Sequence, residues 1–116
     1  MAQRAPGNPP ILAAEALATN PLSGAVVADS GAVPATGLYE VRVIVSSSAA
    51  ANFALQRRNA GNTANVAPFP VTIYTQAQSA QYALMVPLLV GERFRVTMGA
   101  NLTGNAQACV QLEGMA

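Results

Sequence analysis

From Gly37 onward the sequence alternates apolar and polar residues with a period of two, and this pattern restricts what the chain can fold into. Side chains along a strand point to opposite faces in turn, whereas a helix repeats about every 3.6 residues, so sustained alternation specifies half-buried strands. In residues 38–46 (LYEVRVIVS), Tyr39, Val41, Val43 and Val45 share one face while Glu40, Arg42 and Ser46 share the other, with Ile44 the one apolar exception. Residues 51–58 repeat the pattern with Phe53 and Leu55 inward, and residues 80–89 do so with Tyr82, Leu84 and Val86 up to Pro87. Residues 93–98 (RFRVTM) place Phe94, Val96 and Met98 on one side, and residues 106–113 do the same with Ala106, Ala108, Val110 and Leu112. Pro68 and Pro70 lack a donor for the ladder, so the strand at 71–75 either starts after them or sits at an edge.

Between these runs lie Gly- and Asn-rich stretches (NAGNTAN at 59–65, GANLTGN at 99–105) with the residues that turns require. Seven or eight short strands spaced by turns predict an all-β, antiparallel β-sandwich of jelly-roll type. Its expected core is Tyr39, Val41, Val43, Phe53, Leu55, Leu84, Phe94, Val96, Val110 and Leu112. The first 36 residues differ, holding five of the eight prolines and no sustained alternation. They read as an irregular N-terminal arm (1–36) ahead of the sandwich domain (37–116). Within the arm, ILAAEALAT (11–19) has helix formers behind Pro9 and Pro10 and predicts one or two helical turns, and residues 25–29 form a possible first strand. The apolar residues Ile11, Leu12, Leu17 and Leu22 give the arm a surface with which to dock on a neighbour. The expectation is an arm mobile alone and ordered in an assembly.

Charge is scarce: 9% of residues are charged, whereas 52% are hydrophobic, and the net charge is +1. Either part of the exterior is covered by other protein or the surface is neutral and polar. All six cations are arginines, five acids balance them, and no cationic stripe of the kind nucleic acids need is present, so a direct nucleic-acid partner is not expected. The arginine preference fits interfaces, and equally fits codon bias. The single Cys109 allows no internal disulfide, the N-terminal decapeptide has no apolar signal core, and no run is long enough for a transmembrane helix. Synthesis in a cytoplasm and no membrane association are the expectations.

Histidine is absent, which removes the commonest general base and metal ligand. The five carboxylates, Glu15, Asp29, Glu40, Glu92 and Glu113, are scattered, and no phosphate-binding or metal-spacing motif occurs. No catalytic residue, cofactor site or metal site is therefore assigned, and the chain is not expected to be an enzyme. Cys109 alternates with Ala108 and Val110 and points to the face of Gln107, Gln111 and Glu113, as inert packing. Arg57 and Arg58 are adjacent, so on one strand they face opposite ways. Either Arg57 enters a buried or inter-subunit ion pair, with Glu113 or Glu92, or the strand has ended before it. Both arginines are candidate assembly contacts.

The runs GLYEVRVIVSSSAAANFALQRRNAGN and VGERFRVTMGANLTGNAQACVQLEG resemble small jelly-roll virion proteins of tailed bacteriophages, which broadly resemble tumour-necrosis-factor-like domains. The matched features are a Gly-x-Tyr strand opening, a Leu-x-Arg-Arg-Asn strand end and a Gly-Glu-Arg turn, over residues 37–114. The resemblance implies a virion structural protein of the head decoration or cement type, forming a homotrimer and binding the major capsid protein through its arm. The alternative is a carbohydrate- or receptor-binding β-sandwich of a phage tail or fibre, although Trp is absent and all three tyrosines fall in strand patterns.

Overall fold

A computed structural model describes residues 12–76 and 79–114. Eight strands run in chain order: β1 (Leu12–Thr19), β2 (Val26–Asp29), β3 (Gly37–Ser47), β4 (Ala50–Arg58), β5 (Val71–Gln76), β6 (Ser79–Leu88), β7 (Arg93–Met98) and β8 (Asn105–Gly114). They form two antiparallel four-stranded sheets, ordered β1-β8-β3-β6 (sheet A) and β2-β7-β4-β5 (sheet B). This order, in which β1 pairs with β8, β2 with β7, β3 with β6 and β4 with β5, is that of a jelly roll, so the predicted fold class is what the chain adopts.

The inward residues of both sheets meet in one core, in which Tyr39, Val41, Val43, Phe53, Leu55, Phe94, Val96, Val110 and Leu112 are at most 1% exposed. Phe94 stacks edge-to-face on Phe69, ring centroids 5.3 Å apart at 88°. The expected core also receives Ile73, Leu88 and Met98. Leu84 is only half-buried and Tyr82 is exposed, because β6 is an edge strand whose inward face is only partly covered. The prolines are used as the backbone demands: β5 begins after Pro70 at the edge of sheet B, and Pro87 lies in β6 at the edge of sheet A.

Two expectations for the N-terminal segment are corrected. No helical turn forms over the described part of ILAAEALAT: Leu12–Thr19 is a strand hydrogen-bonded along its length to β8, from Leu12 opposite Leu112 to Thr19 opposite Asn105. Pairing with a neighbouring strand overrides a modest intrinsic helix preference. Nor is the described part of the segment irregular. Residues 26–29 pair with β7, and Val27, Ala28 and Val33 are buried in the common core. The Val33 amide donates to the Glu92 carbonyl (2.8 Å) and its carbonyl accepts from the Gly91 amide (2.9 Å), which ties residues 30–36 to the β6–β7 turn. Ile11 lies outside the described residues.

Candidate functional site

The two arginines singled out in the sequence have opposite fates. Arg57 pairs with Phe94 across β4 and β7 and so points toward the interior, at the end of the core. Its Nε and NH2 both donate to Oε1 of Glu92, at 3.1 and 2.8 Å, and the Leu89 amide donates to the same oxygen at 2.8 Å. Side-chain exposures of 15% and 5% make this a buried, hydrogen-bonded pair. The partner is Glu92, one of the two expected acids. The chain reaches it through the tight turn at Gly91, whose φ of +89° and close approach to Ala60 leave no room for a side chain. Arg57 is therefore engaged inside the fold and its guanidinium is not available as an outward assembly contact.

Arg58 points the other way, onto the outer face of sheet B. It clamps the following loop, donating from Nε to Asn62 Oδ1 (2.9 Å), from NH1 to Asn65 Oδ1 (3.0 Å) and from NH2 to the Asn62 carbonyl (3.0 Å). Directly opposite it on β7 stands Arg93, and one pair further along Gln56 faces Arg95, its Oε1 accepting from Arg95 Nε. Asp29 is the acid beside them, its Oδ2 3.2 Å from Arg93 NH1. Burial, then the nearby charge of Arg58, and then that of Arg93 move the Arg95 guanidinium below its ordinary pKa, against the pull of Asp29. Arg93 and Arg95 were not singled out from the sequence as site residues. Their alternation was legible, but their meeting with Arg58 depends on β4 lying beside β7.

The outer face of sheet A has a different character. Glu40 and Glu113 face each other across β3 and β8, and Arg42 NH2 lies 2.7 Å from Glu40 Oε1. Toward the other end of this face Glu15 stands opposite Cys109 in register, among uncharged neighbours. A shallow depression of about 290 Å³ is lined by Ile44, Ser46, Ser79, Gln107 and Cys109, and a second of about 220 Å³ adjoins it beside Leu17, Ser47, Ser48 and Asn105. Cys109 thus faces outward as its alternation predicts, half-buried and in no disulfide. Leu17 is 66% exposed and Leu22, in the β1–β2 connection, is 67% exposed. Both therefore remain available as contacts, whereas Leu12 is the β1 residue opposite Leu112. Among the described residues no group of three metal-ligating side chains comes together.

No family model and no curated protein matches this sequence. Solved structures do match. Eiger TNF from S. frugiperda is 18% identical, with 92% of this chain covering 94% of that one at a TM-score of 0.56. The globular domain of the zebrafish complement 1qA protein is 14% identical over 90% and 98% of the two chains, with a TM-score of 0.55. The C-terminal carbohydrate-binding module of LamC from Zobellia galactanivorans is 11% identical over 89% and 98%, with a TM-score of 0.53. At such identities the likeness is one of fold, and this chain is a jelly-roll β-sandwich similar in architecture to all three.

Proposed function

We propose that this chain is a non-enzymatic structural protein that works as an assembly, a homotrimer that decorates and stabilises a bacteriophage capsid. The observation that carries the assembly is the exposed apolar surface on the sheet A face, where Leu17 and Ile44 stand beside the two adjoining depressions. Water solvates these two side chains poorly, and a closed symmetric oligomer covers them. The virion role is supported by the resemblance of residues 37–114 to phage decoration proteins, and by the logic of cementing: contacts that exist only in the assembled shell stabilise it by mass action. Light scattering is expected to give the mass of three chains, and Ile44→Asp is expected to give one. In the assembly Cys109, which lines the same face, resists alkylation; in the Ile44→Asp variant it reacts. A monomeric wild-type protein with a freely reactive Cys109 removes the proposal. Binding to particles that lack the protein, measured as occupancy, tests the capsid role separately.

A glycan-binding reading is supported by one observation, the 63% exposed ring of Tyr74 on the outer face of sheet B. It stands second because Tyr39 is fully buried and Tyr82 lies on the other sheet, so neither ring joins Tyr74 in a stacking platform. Affinity for a soluble β-glucan that disappears in Tyr74→Ala would put it first.

A further inference from the structure

We infer that the outer face of sheet B is a docking surface for an acidic protein segment, whose carboxylates pair with Arg58, Arg93 and Arg95. Like charges directly opposite in a sheet destabilise it, yet Arg58 and Arg93 are direct cross-strand partners and Arg95 shares their face. The fold gains nothing from this arrangement by itself. Asp29 offsets one of the three cations, at 3.2 Å from Arg93 NH1. The Arg93 side chain is about a quarter exposed, and its buried Nε has no hydrogen-bond partner among the described residues, so the pair with Asp29 leaves the guanidinium's bonding incomplete.

The guanidiniums are also held ready. Arg58 is fixed by its bonds to Asn62 and Asn65, and Arg95 by its bond to Gln56, so little side-chain freedom remains to be lost when a partner arrives. Planar forks of this kind match carboxylates in a bidentate geometry. The two depressions described above lie on the opposite sheet, and this face offers a ladder of donors to a surface-borne group. Nucleic acid is a poorer fit, since its affinity rests on neutralising many phosphates and three guanidiniums reach few. The surface lies on the sheet away from exposed Leu17 and Ile44, so the inference does not rest on the homotrimer.

The test is fluorescence anisotropy of a labelled hexaglutamate peptide with the full-length protein at low salt. Saturable binding is expected that weakens about tenfold in Arg93→Gln and again in Arg95→Gln, falls with added salt, and is unchanged in Ile44→Asp. Arg93→Lys, which keeps the charge but loses the fork, should fall between wild type and Arg93→Gln. Thermal melts establish that each variant folds; should Arg93→Gln fail, Arg95→Gln gives the reading, since its position lies further along the ladder. Absence of saturable binding, or binding unchanged in the glutamine variants, overturns the inference. Tighter binding of a hexathymidylate strand than of the peptide also overturns it, in favour of nucleic acid.

Discussion

Three buried side chains hold different kinds of energy. Phe94 has no exposed surface and packs edge-to-face on Phe69, so Phe94→Ala should cost about 3 to 5 kcal/mol by transfer and cavity together. A denaturant titration showing a loss under about 1 kcal/mol would place that ring outside the core. Glu92 collects three donors on one oxygen, and removing its charge strands a buried guanidinium. Glu92→Gln should cost about 3 to 5 kcal/mol, whereas an Arg57→Met, Glu92→Leu pair should regain most of it. Tyr39 donates its hydroxyl proton to the Ala35 carbonyl at 2.6 Å, and burial raises its pKa above the ordinary value of about 10. The folded state therefore keeps this proton longer than the unfolded chain does. Its contribution is whole below about pH 10 and is lost as pH rises through the folded pKa. Alkaline melts should show that slope in the wild type and lose it in Tyr39→Phe, which also forfeits the hydrogen bond.

At the scale of elements, the informative comparison is between β1 and β7. RFRVTM could be read as a strand from its letters alone because both its faces contrast, and the strand observed has the same bounds as the one expected. LAAEALAT has no such contrast and contains good helix formers; its strand exists because β8 presents it with an unpaired edge about ninety residues away in sequence, which no local pattern announces. The same limit governs the candidate site. Arg57 could be read as inward from its place beside Arg58 at a strand end, and its partner Glu92 was one of two candidates. The Arg58, Arg93 and Arg95 ladder could not, since it depends on which strands become neighbours. A consequence follows for truncation. Deleting residues 2–24 removes β1 and bares the edge of β8, so the shortened protein should melt earlier and aggregate, since exposed edges recruit other strands. A deletion variant that stays soluble with an unchanged melting temperature would show that β1 is a detachable arm after all.

Across the whole molecule, a net charge of +1 conceals a separation: three arginines and one aspartate face outward from sheet B, while Glu40, Glu113 and Arg42 face outward from sheet A, where Glu15 stands opposite Cys109 in register. The two faces are thus suited to different neighbours, one with exposed apolar side chains and one cationic. The strand order also governs how the molecule comes into being. In sheet A the last strand, β8, lies between the first, β1, and the third, β3. Until residues 105–114 have left the ribosome, β1 has no partner in its sheet, and β3 is paired on one edge alone. The nascent chain must carry β1 without its sheet partner until β8 has emerged. Refolding in dilute solution should accordingly be slow for a chain of this length, in the range of milliseconds to seconds that nonlocal β topologies show. A ribosome stalled just short of Asn105 should display a protease-sensitive β1, and one that has released Gly114 should not.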